Sequence, residues 1–176
     1  MNIVKKAELF ATVAHGAVGQ KRKYSGADYI VHPISVKNIL SDFGFSEDDN
    51  LLSGALLHDV VEDTDIKFEL IEEVFNVDVA NIVFDVTNPS KHYPDLNRKA
   101  RKEMDLEHLK SAMVRSKALK LADLIHNFTS IVKEDPEFAK IWCVEAQKIS
   151  DVCKDGSNDL YDEISYLLNT FFKSKP

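Results

Sequence analysis

Residues 51–65, LLSGALLHDVVEDTD, constrain the fold of this chain more than any other stretch. Leu51, Leu52, Ala55, Leu56, Leu57, Val60 and Val61 fall nearly all round a helix, the pattern of a helix buried on every side. Such a helix takes in ionised groups only at a cost, unless each finds a partner. Yet this one carries His58, Asp59, Glu62 and Asp63. The spacing sets His58 one turn before Glu62 and Asp59 one turn before Asp63, on nearby helical faces. So many acids beside one imidazole repel one another without a cation, and a divalent metal is the simplest stabiliser.

The rest of the chain reads as helix after helix. Residues 3–17 carry Ile3, Val4, Ala7, Phe10, Ala11 and Ala14 at the 3.6-residue period. A glycine-containing stretch, 16–26, follows and holds the basic run Lys21-Arg22-Lys23. Pro33 suits the first turn of a helix reaching about Leu40, and Gly44 ends it. Ser46 with Glu47, Asp48 and Asp49 reads as the N-cap and acidic first turn of the central helix. Helical patterns return at 68–75 and 78–86, and 87–96 (TNPSKHYPDL) is the strongest loop signal. A charged helix at 97–109 and an apolar-striped one at 111–131 come next. Asp135-Pro136 opens another to about Cys153, and a break at Gly156-Ser157-Asn158 precedes a last helix over 160–172. With no alternating run and no repeat, the expected fold is all-α, a single domain over 1–176.

Composition narrows the function. A formal net charge of −7 argues against general binding to nucleic acid or anionic membrane, since both favour a basic surface. No segment has the apolar length of a membrane span, and the first residues lack the core of a signal peptide. Cys143 and Cys153 lie too far apart along one helix to bridge, and no other cysteine exists for a thiolate metal site. The expected compartment is the cytoplasm.

His32, His58, Asp59 and Asp123 are the candidate metal ligands. His32 sits among Ile30, Val31, Pro33 and Ile34, and Asp123 stands in the otherwise apolar stretch LKLADLIHN. Two imidazoles and two carboxylates suit Mn²⁺, Fe²⁺, Co²⁺ or Zn²⁺ better than the all-oxygen shells of Ca²⁺ and Mg²⁺. Spacing alone leaves a second reading open, in which these are satisfied polar groups of a core. Lys21-Arg22-Lys23 and the group Arg98, Lys99, Arg101 and Lys102 could approach phosphates or simply face solvent. His15, His92 and His108 read as surface residues, and Tyr24 and Tyr29 as packing for a site wall.

Four segments, GQKRKYSGADYIVHPISV (19–36), GALLHDVVEDTDI (54–66), FDVT (84–87) and KLADLIHN (120–127), resemble the hydrolase domain of the RelA/SpoT alarmone enzymes. That domain is a branch of the HD phosphohydrolase superfamily. The motifs fall within 19–127, and helices over 136–172 follow. The chain stops where a synthetase domain would begin, so a stand-alone small alarmone hydrolase is expected. The resemblance implies that His32, His58, Asp59 and Asp123 hold one Mn²⁺, with another divalent transition metal possible. It implies that Glu62 and Asp63 position and activate the attacking water, and that Arg22, Lys23 and Asn127 contact the nucleotide. The implied reaction removes the 3′-pyrophosphate from guanosine tetra- or pentaphosphate, so the partner is a small-molecule nucleotide. Adenosine alarmones, the 2′-phosphate of NADPH and binding without cleavage are the alternatives, and the oligomeric state stays open.

The chain also departs from the family. The usual A-H-x-G-Q opening is two residues longer here, Ala14-His15-Gly16-Ala17-Val18-Gly19-Gln20, which shifts His15. The usual Phe-Gly after the central helix is Phe75-Asn76, where Asn is expected to take the same left-handed turn. Leu124 stands where relatives commonly carry arginine.

Overall fold

The computed structural model describes residues 2–174. The described chain is all-α, as expected; outside its helices the one extended pairing described is an isolated antiparallel bridge between Lys21 and Asp28. It divides into two compact units, residues 1–88 and 89–176.

The first unit opens with α1 (Ile3–Ala17), capped by the Asn2 side chain, which accepts from the Lys5 amide. After the glycine-containing loop come α2 (Val31–Leu40) and a π-helical turn, Ser41–Phe45, in which Gly44 takes φ 94°. The central element, α3 (Asp49–Leu57), is buried from Leu51 to Leu57 and packs against α1, α2 and the later α6 (Val77–Val86). Gly54 permits that last approach, because a Cβ there would lie 2.4 Å from Ile82 Cγ2. A single turn, α4 (Val60–Asp63), and α5 (Phe68–Val74) complete the unit. Ala7, Ala11, Leu56, Leu57, Val60, Ile71 and Val83 form its core, with Phe10 edge-on to Phe75 at 5.5 Å. Burying such side chains is worth roughly 1.5–3 kcal/mol for each large one.

The second unit begins with a 3₁₀ turn, Pro89–His92, tied to α7 (Arg98–Lys110). The Ser90 amide and hydroxyl both donate to the Asp105 carboxylate, at 3.1 and 2.9 Å. Then follow α8 (Val114–Glu134), α9 (Pro136–Cys153), capped by Asp135, and α10 (Asn158–Lys173), capped by Ser157. Phe128 meets Trp142 and Phe171 in its interior, while the neighbouring Phe172 is exposed. Cys143 and Cys153 are both buried thiols. Among the described residues, no helix is long and apolar enough to cross a membrane.

Four local expectations are corrected. The N-cap of the central helix is Asp48, not Ser46; its carboxylate accepts from the Leu51 amide at 2.9 Å. Asn76 is extended at φ −176° and caps α6 by accepting from Val79, so no left-handed turn forms there. His15 is buried rather than on the surface. The helix expected to run unbroken through 51–65 instead stops at Leu57 and restarts at Val60.

Candidate active site

The break lies at the His58-Asp59 pair. His58 Nδ1 lies 2.7 Å from the Ala55 carbonyl, three residues back, and so competes for the oxygen that the Asp59 amide would use in a continuous helix. Asp59 consequently flattens to φ −96°, ψ −7° before α4 begins. A carbonyl only accepts, so His58 Nδ1 carries the proton and Nε2 is the ring nitrogen turned toward Asp59.

Three groups converge on one carboxylate oxygen. Asp59 Oδ2 lies 3.0 Å from His58 Nε2 and 3.5 Å from His32 Nε2, and accepts from the Tyr29 hydroxyl at 2.6 Å. The two imidazoles sit edge to face with centroids 5.1 Å apart, and both are buried. Burial pushes the Asp59 carboxyl up, but His58 and His32 outweigh it and hold the group well below the ordinary carboxylate range. The donor atoms of His32, His58 and Asp59 all lie within 4.8 Å of one another. A ring nitrogen turned to a carboxylate oxygen at this distance is satisfied either by a proton on that nitrogen or by a cation shared between the two groups. Nitrogen and oxygen donors so arranged fit a divalent transition metal.

One turn on, the two acids of α4 are held by amides. Glu62 Oε1 accepts from the Asn88 backbone at 2.6 Å and from its side chain at 2.9 Å. Asp63 Oδ2 accepts from Gln20 Nε2 at 2.8 Å. The loop between α1 and α2 also carries the basic run. The Arg22 guanidinium lies 5.7 Å from the Tyr29 ring centre, whereas the exposed Lys23 turns to Tyr24 at 4.7 Å. Lys21 forms an ion pair with Asp28.

Asp123 and Asn127 belong to the second unit, on α8. Asp123 is buried; Lys120 approaches its Oδ2 at 3.1 Å and the Asn127 amide donates to its Oδ1 at 2.6 Å. Leu124 beside it is buried. In the basic group of α7, Arg98 is committed to a two-pronged pair with Glu145, at 2.7 and 2.8 Å.

Sequence reasoning missed Gln20 and Asn88, the amides that hold the two acids, and undervalued Tyr29, whose hydroxyl bonds Asp59 rather than only packing a wall. Gln20 stood inside a quoted motif, and Asn88 inside the loop read as Thr87 to Leu96, without a residue type that announces chemistry.

A family model described as HD domain matches residues 7–149. A Danio rerio protein named guanosine-3′,5′-bis(diphosphate) 3′-pyrophosphohydrolase MESH1 is 37% identical over 141 residues, 78% of this chain and 76% of the relative. Its namesake from Xenopus tropicalis is 39% identical over 136 residues, 77% of this chain and 73% of the relative. A solved structure described as a metazoan ortholog of SpoT that hydrolyzes ppGpp superposes with a TM-score of 0.86. That protein is 29% identical to this chain, and the match covers 97% of this chain and 96% of the other.

Proposed function

Because the chain belongs to the HD-domain family, we propose that it is a metal-dependent phosphohydrolase that removes the 3′-pyrophosphate from guanosine tetra- or pentaphosphate. The products are GDP or GTP and pyrophosphate. The observation that carries this reading is the convergence of His32, His58 and Asp59, with Glu62 and Asp63 one turn beyond. The names of the relatives support the substrate.

His32, His58 and Asp59 would hold the metal, Mn²⁺ in the first instance, and the resemblance supplies Asp123 as the fourth donor. When bound, such an ion supplies positive charge for a phosphoryl oxygen and makes water a better nucleophile near neutral pH. Glu62 and Asp63 orient the attacking water and take its proton. Asn88 fixes the Glu62 carboxylate by Oε1, and Gln20 does the same for Asp63 by Oδ2. Water oxygen bonds the phosphorus next to the ribose O3′, the bond from that phosphorus to O3′ breaks, and O3′ takes a proton. Arg22 and Lys23 offset the phosphate charge, and the planar Arg22 also suits a purine face. Asn127 is assigned to nucleotide contact through the resemblance alone. The family match runs across residue 88, which supports reading 1–176 as one domain.

The test incubates purified protein with guanosine tetraphosphate, with and without Mn²⁺, and separates nucleotides by anion exchange. GDP and pyrophosphate formed only with metal are expected. GDP formed equally well after exhaustive chelation would overturn the mechanism. No turnover with metal demonstrably bound would overturn the substrate, and direct the search to adenosine alarmones and NADPH.

A further inference from the structure

His15 is 1% exposed, and its ring is a buried polar group that the reaction as described does not use. α1 ends beside it in a Schellman-type cap. The Gln20 amide donates to the His15 carbonyl at 3.0 Å and the Gly19 amide to the Gly16 carbonyl at 3.0 Å, with Gly19 at φ 65°. This cap brings Gln20 back to His15, and their side chains meet, Nδ1 to Oε1 at 2.6 Å.

Chemistry fixes the direction of the chain of bonds. Ionised Asp63 only accepts, so Gln20 presents Nε2 to it and Oε1 to the histidine ring. His15 Nδ1 must then carry the proton. Its Nε2 is buried and has no hydrogen-bond partner among the described residues. Burial lowers the pKa of the ring and so favours its neutral form, in which Nε2 is a buried acceptor. A leucine would fill the same space without that penalty. What the histidine supplies, and an apolar residue cannot, is the Nδ1 donor. The ring also lies against Tyr29, 4.8 Å between centroids, and the Tyr29 hydroxyl is the one that donates to Asp59.

We propose that His15 is a positioning residue that, through Gln20, aims the Asp63 carboxylate at the attacking water. The role rests on the hydrolase reading, because Asp63 has a reaction to serve only there. An amide does not pass protons along, so the link orients and does not conduct.

Gln20→Met and His15→Leu each cut the link, while His15→Asn returns a side-chain N–H close to the position of Nδ1. Thermal melting checks the fold of each variant, and hydrolysis of guanosine tetraphosphate is followed with Mn²⁺. For both cutting variants kcat is expected to fall about tenfold or more, with KM within about twofold. His15→Asn is expected to recover most of the loss. A wild-type kcat in a normally melting Gln20→Met overturns the proposal. So does a folded His15→Asn as slow as His15→Leu. Nitrogen-15 NMR of the His15 ring reads the link without turnover: a proton on Nδ1, a bare Nε2, and a moved Nδ1 resonance in Gln20→Met. A proton on Nε2 instead overturns the proposal. Should the wild type release no pyrophosphate, the hydrolase reading falls, and the ring nitrogens still decide whether the link exists.

Discussion

Each unit of this chain places an aspartate in an apolar helical stretch, and the two solve the problem differently. Asp123 stays in an unbroken helix. Lys120, three residues back, supplies a cation, and Asn127, four residues on, supplies a donor. Asp59 has no such neighbours at those spacings, only Leu56 and Asp63. Its helix breaks instead, and imidazoles from α2 and from the break itself come to the carboxylate. One arrangement carries its own countercharge within a single helix. The other gathers donor atoms from separate elements around a place for an ion. A buried acid alone is therefore a weak sign of a metal site, and what surrounds it decides.

The largest effect should come from removing the gathered carboxylate. Asp59→Ala is expected to abolish Mn²⁺ binding by titration calorimetry and to cut turnover about a thousandfold or more. Full activity in that variant after metal removal would erase the contrast. Lys120→Met tests the other half. Stripping a mostly buried carboxylate of its cation should cost about 3 kcal/mol in the metal-free protein, measured by urea melts. If Mn²⁺ restores that loss, Asp123 also serves the ion. If it does not, the residue is held for structure alone.

Close packing offers a gentler comparison. Gly156 would place a Cβ 2.5 Å from the Ala118 backbone nitrogen, whereas at Gly54 the obstacle is the Ile82 side chain. Backbone gives way less than a side chain, so Gly156→Ala should lower stability by about 3 kcal/mol and Gly54→Ala by about half as much. Equal losses would mean that α6 is as unyielding as backbone.

The smallest differences lie at the ends of the pH range. Asp59 titrates well below its ordinary 3.8 in the fold, so its stabilising contribution is complete above that pH and is lost as pH falls toward the folded value. Asp59→Asn should flatten the acid limb of the melting profile. In the second unit burial pushes the Cys153 thiol up to about 12. Its contribution holds below its ordinary value of 9.0 and fades as pH rises toward 12. At pH 8 that thiol should ignore a disulfide reagent until denaturant is added; rapid reaction in the native protein would contradict its burial.

Much of this was legible in the sequence because helical periodicity is a local signal. The bounds of α1 were readable to the residue, and the burial of Leu51 to Leu57 followed from apolar residues on every face. His32, His58 and Asp59 stood out as polar residues where burial makes polarity expensive. The break at His58 was not legible, because it depends on a ring reaching a carbonyl, which no hydropathy pattern encodes. Nor was the cap at Asp48, since Ser46 offers as good a capping group two residues earlier and only the turn through Gly44 decides between them. His15 escaped because its partner is brought to it by a turn rather than by helical spacing.

That turn has a consequence for how such proteins diverge. His15 and Gln20 stand five residues apart, and the chain closes that gap with Gly19 in a left-handed conformation. The interval that selection can act on is then a distance through space, and the count of residues is free to drift so long as a glycine stands at the bend. A search pattern with a rigid interval would pass this chain over with the contact intact. Gly19 carries that bend, and a side chain there would strain the left-handed backbone that brings the two side chains together.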